Sequence, residues 1–161
     1  MSCEIPFEVL GYLEQVESGN PRACKEQVAL AAHVRRCFET EDIFVDREQL
    51  AKYMGLAKYF PYKELFPWEK FLIALWDCTY WKETGRPRWK TVFALVGRGA
   101  GKDGFIAFDG ACSISPYNPV SHYNVDVCAN NEDQAKRPQL DLVEVLEAPQ
   151  WEAKLNRHYY H

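Results

Sequence analysis

The residues best suited to chemistry lie together at Val96-Gly97-Arg98-Gly99-Ala100-Gly101-Lys102-Asp103. Holding a phosphate takes donors that approach closely from several sides. Glycines let the backbone curl until successive N–H groups point inward. A helix starting next adds its unpaired first N–H groups and the positive end of its dipole. A lysine at that start adds a compact charge for the outer phosphates of a nucleotide. This segment supplies all three, directly after Thr91–Val96, an apolar, β-branched and aromatic run that reads as a buried strand. The general pattern G-x-x-x-x-G-K-[ST] is met incompletely. Its first glycine falls on Val96, with Gly97 one place late, and its last position is Asp103. The alternative is a tight strand-to-helix turn in which the glycines serve geometry only.

Asp103 has two readings. A hydroxyl at this position ordinarily ligates Mg²⁺, and a carboxylate is also a hard oxygen ligand. Without metal, it faces a triphosphate as a like charge. One such pair about 4 Å apart, at an effective dielectric near ~20, repels by about 4 kcal/mol. Nucleotide binding is therefore expected to be unusually metal-dependent. In the second reading the acid only favours a helix N-terminus, worth about 0.3–1 kcal/mol.

The elements that must position this loop fall into two parts. Residues 1–64 read as helical. Ile5, Val9, Leu10, Leu13 and Val16 recur at helical spacing, and Ser18-Gly19-Asn20 breaks the pattern. Asn20 as N-cap and Pro21 as first helical residue open a second helix through Val28, Leu30, Ala31, Val34 and Phe38. Asp46 with Gln49 resembles a capping box for a third helix that Gly55 would end. From residue 65 the character changes. Pro67 opens a helix over Trp68–Trp76, and Lys82–Arg88 is a polar loop. The glycine segment leads into a helix from Lys102 to about Ser113. Tyr123–Ala129 alternates like a strand. Asn131–Glu147 reads as a helix with Ala135, Leu140, Val143 and Leu146 inward. Strand, glycine loop, helix, strand, helix is the opening of an α/β parallel-sheet domain. The expected fold is thus an incomplete P-loop NTPase-type parallel sheet over 65–161, preceded by a helical region over 1–64.

Composition sets outer bounds. The 161 residues are 47% hydrophobic and 14% aromatic, enough apolar material for a core, so disorder is not the default. A net charge of −4 offers no overall basic character of the kind that a nucleic-acid binder usually shows. Lys82, Arg86, Arg88 and Lys90, with Trp81 and Trp89 interleaved, are the local exception. That stretch reads as a DNA contact or, more simply, as a solvated loop over packed tryptophans. Six cysteines (3, 24, 37, 78, 112 and 128) form no CxxC pair or zinc-like cluster and are expected to be small buried thiols in a reducing cytosol. His122, His158 and His161 lack ligand spacing. Met1–Leu10 lacks a signal-peptide pattern, and no transmembrane helix is expected.

The glycine segment resembles that of the large terminase subunits of tailed bacteriophages, whose Walker A loop reads R-x-x-G-K followed by a variable residue, here Arg98-Gly99-Ala100-Gly101-Lys102-Asp103. Phe66-Pro67-Trp68-Glu69-Lys70-Phe71 resembles the family's segment before the P-loop strand, where a proline, an aromatic and usually a glutamine help bind adenine. Here Trp68 is the aromatic, and Glu69 stands where the glutamine would be. Ala129–Ala135 resembles the A-x-x-x-x-Q-A signature after the second strand. The resemblance covers about residues 65–147. It implies a motor ATPase driving double-stranded DNA into a preformed capsid, with a C-terminal nuclease. ATP and Mg²⁺ are then the cofactors, and the small terminase subunit and portal are the partners. The site of action is the host cytoplasm, transiently at the procapsid portal.

By that likeness Lys102 binds the β/γ-phosphates, Arg98 acts as sensor or transition-state charge unless it salt-bridges structurally, and Gly97 to Asp103 form the cradle. Hydrolysis also needs a metal-holding acid on a later strand. After Ala129 no apolar run ends in paired acids. Asp141 and Glu144 fall on the expected last helix. The chain thus looks like a truncated portion that binds nucleotide and hydrolyses it negligibly. The alternatives are another P-loop protein, such as a small kinase or a helicase piece, and a non-catalytic interaction module with a vestigial loop.

Overall fold

The computed structural model describes residues 4–62 and 64–148. His158, His161 and Cys3 lie outside the described residues. The described chain is α/β, with six α-helices and one two-stranded antiparallel sheet. It divides into two compact units that alternate along the sequence.

The first unit comprises residues 4–51 and 65–93. Helix α1 (Phe7–Ser18) buries Val9, Leu13 and Val16 at helical spacing, and Gly19 ends it with φ +68°. Helix α2 (Lys25–Thr40) starts four residues later than Asn20-Pro21 implied. Gln27 Oε1 accepts from the Cys24 backbone N–H at 2.9 Å, which places the N-cap at Cys24. Strand β1 (Ile43–Val45) leads into α3 (Arg47–Leu56), whose first turn is closed by Asp46 Oδ1 accepting from Gln49 N–H at 2.9 Å, as the capping-box reading expects. Gly55 does not end α3. Leu56 and Ala57 are buried, and the chain continues through a 3₁₀ turn, Ala57–Tyr59.

Helix α4 (Pro67–Trp76) begins at its proline and buries Phe71, Ile73, Ala74 and Leu75. It packs on α1, with the Tyr12 and Phe71 rings 4.5 Å apart. Strand β2 (Thr79–Trp81) pairs antiparallel with β1, Phe44 opposite Tyr80. Thr79 Oγ1, buried, donates to the Ala74 carbonyl at 2.7 Å and ties the strand to the end of α4.

The second unit comprises residues 52–62 and 64 with 94–148. Helix α5 (Lys102–Ile114) buries Phe105, Ala107, Phe108, Ala111 and Cys112. Helix α6 (Glu132–Leu146) is capped by Asn131, whose side chain accepts from Gln134 N–H at 2.9 Å. It packs on α5, where Leu142 lies against Gly110. Of the residues expected inward, Leu146 is buried, but Leu140 is 64% exposed and Val143 lies at the surface; Pro138 and Val145 are buried instead.

Neither strand expected around the glycine loop is formed. Thr91–Val96 and Tyr123–Ala129 have no regular structure, and Phe93 and Leu95 are each 92% exposed. A strand exists only when a neighbour takes its N–H and C=O groups. Among the described residues neither run has such a neighbour, so no parallel sheet forms.

Candidate phosphate-binding loop

Gly97 N-terminal to α5 begins a tight turn closed by Ala100 N–H donating to the Gly97 carbonyl at 3.2 Å. Gly99, third in that turn, has φ +80°, a value that side chains with a Cβ rarely adopt. Gly101 follows at φ +87° as N-cap of α5, and Phe105 N–H donates to its carbonyl at 2.9 Å. With no side chain at the cap, the first amides of α5 have no intrahelical acceptor. A Cβ built on Gly97 or Gly99 meets nothing within 4 Å, so the loop borders open space. The glycines therefore serve backbone conformation and access, not tight packing.

Lys102 and Asp103 occupy the first turn of α5, each about half exposed, with Lys102 Nζ paired to Asp103 Oδ1. Arg98 is exposed and makes no ion pair among the described residues. The loop thus gathers Gly97, Arg98, Gly99, Ala100, Gly101, Lys102 and Asp103 at one helix start. Open helix amides, a lysine and a hard carboxylate oxygen are a donor set that suits a phosphate and Mg²⁺ together.

The position of α5 is set by an aromatic brace. Phe108 meets the Phe60 ring edge-on at 5.3 Å, Phe60 stacks on Tyr62 at 5.4 Å, and the Tyr62 hydroxyl donates to the Gly104 carbonyl at 2.9 Å. Sequence reading missed Tyr62. Its only local signal is its place in the aromatic-proline cluster Tyr59-Phe60-Pro61-Tyr62.

Trp68 and Glu69 belong to the first unit, on the opening turn of α4. Glu69 is only 4% exposed, and its Oε2 accepts from Phe66 N–H at 2.8 Å. Burial pushes its carboxyl above the usual carboxylate range, while the Phe66 hydrogen bond pulls the other way. Its visible work is closing a helix end.

Two of the four basic residues of the stretch are paired. Lys82 pairs with Asp42 at 2.7 Å, and Arg88 holds Glu41 through both carboxylate oxygens. The Arg88 guanidinium also lies 4.9 Å from the Trp81 ring centroid and 5.0 Å from that of Trp89. Arg86 and Lys90 are exposed. Trp81 and Trp89 are half-buried on either side of Arg88, and the chain turns at Gly85, φ +65°. Of the cysteines, Cys37, Cys78 and Cys112 are buried, but Cys24 and Cys128 are exposed, unlike the uniform burial expected. Burial pushes the Cys37 and Cys78 thiols up. Among the described residues no helix is long and apolar enough to cross a membrane.

Comparison with protein-family models, curated proteins and solved structures finds no match to this chain.

Proposed function

We propose that this chain is an ATP-binding portion of a bacteriophage DNA-packaging motor of the large terminase subunit type. The observation that carries the reading is the turn of Gly99 and Gly101, both at positive φ, onto the start of α5, where Lys102 and Asp103 stand exposed on the first turn. The β- and γ-phosphates lie against the open amides of that turn and against Lys102. Arg98 approaches the same phosphates from the loop. Mg²⁺, when bound, neutralises phosphate charge, and the Asp103 carboxylate is its protein ligand. In this reading Thr91–Val96 and Tyr123–Ala129 become neighbouring strands of a parallel sheet once further strands pair with them. DNA, the small subunit and the portal are partners of the whole motor in the host cytoplasm.

The chain has no apolar run after Ala129 ending in paired acids, so its own hydrolysis is negligible. Titration of ATP with Mg²⁺ tests the reading. Lys102→Ala is expected to weaken binding by about tenfold or more, near 1.4 kcal/mol. Equal affinity of the two proteins, or ATP turnover that Lys102→Ala abolishes, contradicts it in its binding or its non-hydrolysing half, respectively.

A further inference from the structure

We propose that Thr91–Val96 is an acceptor strand for an extended peptide of another protein, apolar at alternate positions and acidic at both ends. The inference concerns the chain as it stands and needs no nucleotide.

The run carries a strand's residues without a strand's partner. Phe93 and Leu95 are each 92% exposed. Among the described residues, no backbone N–H or C=O group of residues 91–96 is hydrogen-bonded. In the extended form that pairing requires, Thr91, Phe93 and Leu95 share one side, and Val92, Ala94 and Val96 share the other. A peptide laid along either edge takes up the free amides and carbonyls, and its own apolar side chains cover the two large exposed ones.

Charge sets the kind of peptide. From Thr84 to Lys102 the chain has five basic residues, Arg86, Arg88, Lys90, Arg98 and Lys102, and no acid, although its net charge is −4. Glu41 holds Arg88, and Asp103 holds Lys102. Arg86, Lys90 and Arg98 are exposed and have no ion pair among the described residues. Lys90 stands directly before the run, and Arg98 shortly after it. An acid at each end of an incoming strand therefore meets a cation, whichever way the strand runs. A second copy of the chain fits poorly, because its own Lys90 and Arg98 bring like charges to the same ends. Single-stranded DNA answers the cations, but its backbone has no N–H groups for the free carbonyls.

The probe is a synthetic peptide of alternating valine and threonine with two glutamates at each end, titrated calorimetrically into the full chain at low salt. The same peptide with lysines at its ends and a thymidine oligonucleotide are the comparisons, and thermal melts check that each variant is folded. Wild type is expected to bind the acidic peptide at least about tenfold more tightly than the lysine one. Lys90→Glu with Arg98→Glu is expected to reverse that preference. Ala94→Pro and Leu95→Pro remove amides from opposite edges of the strand, and neither amide is bonded in the free chain. At least one of them is expected to weaken binding by about tenfold. No binding of the acidic peptide overturns the proposal, as do equal affinity for the lysine peptide and full affinity in both proline variants. Tighter binding of the oligonucleotide, abolished by Lys90→Glu with Arg98→Glu, overturns it in favour of nucleic acid. A concentration-dependent dimer without peptide, lost in Phe93→Ser with Leu95→Ser, overturns it in favour of a second copy.

Discussion

The Tyr62 hydroxyl donates to the Gly104 carbonyl at 2.9 Å, and a Cβ at position 104 would lie 3.1 Å from Tyr62 Cε1. The glycine there allows a ring to sit on the first turn of α5. Alanine would favour the helix by about 1 kcal/mol but would push the ring away. Gly104→Ala is therefore expected to change stability by less than about 0.5 kcal/mol in the wild-type background, and to stabilise by about 1 kcal/mol in a Tyr62→Ala background. A double-mutant cycle by denaturant unfolding measures the difference. Equal effects in both backgrounds would show that the ring and the glycine are uncoupled.

Arg88 joins Glu41, Trp81 and Trp89 into one cluster. The hydrogen bond from Arg88 holds the Glu41 carboxyl below the usual carboxylate range, although burial opposes it. A lowered folded-state pKa adds stability that is present above the unfolded value, about 4.3, and is lost as pH falls through the lowered one. Arg88→Met is expected to cost about 1–3 kcal/mol at neutral pH, with a change in tryptophan fluorescence as the cation leaves both rings. The gap to wild type should narrow as pH falls below the usual carboxylate range and through the lowered value at which the wild-type carboxyl takes up its proton. A pH-independent gap would remove Glu41 from the account.

Glu69 has the opposite sign. Burial raises its carboxyl, so the protonated form fits the folded chain better, and stability is lost as pH rises from the unfolded value through the raised one. Glu69→Gln keeps an oxygen for the Phe66 N–H and carries no charge. It is expected to match wild type at pH ~4 and to exceed it at pH ~7, whereas Glu69→Ala loses about 1 kcal/mol with the cap. Urea unfolding at the two pH values separates these outcomes, and a glutamine variant weaker than wild type at neutral pH would contradict the burial argument.

Phe93 and Leu95 point into solvent. Serine at both positions is expected to shift stability by less than about 0.5 kcal/mol each and to reduce light scattering on storage. A loss above about 2 kcal/mol would mean that the run is packed as a strand in solution.

The cysteines should divide by reactivity. Brief alkylation followed by peptide mapping is expected to label Cys24 and Cys128, and to reach Cys37, Cys78 and Cys112 only after unfolding. Early labelling of Cys78, whose thiol burial pushes up, would contradict its place in the core.

What the sequence determined by itself is what depends on near neighbours. The Asp46–Gln49 cap, the proline start of α4, the glycine stop of α1 and the Asn131 cap of α6 each act within one helical turn. The glycine loop was legible for the same reason, because consecutive residues set its curl and the start of α5. Only the tertiary structure decided what joins distant residues. Strands β1 and β2 are three residues each, too short for a periodicity, and exist because Ile43 meets Trp81. Thr91–Val96 has a strand's composition without a partner, and composition cannot supply one. Tyr62 and Gly104 are 42 residues apart, and no local pattern links them. Glu69 looks the same in sequence whether it reads a base or closes a helix. Its burial and the hydrogen bond it accepts from the Phe66 N–H show the helix closure, which only the folded chain could reveal.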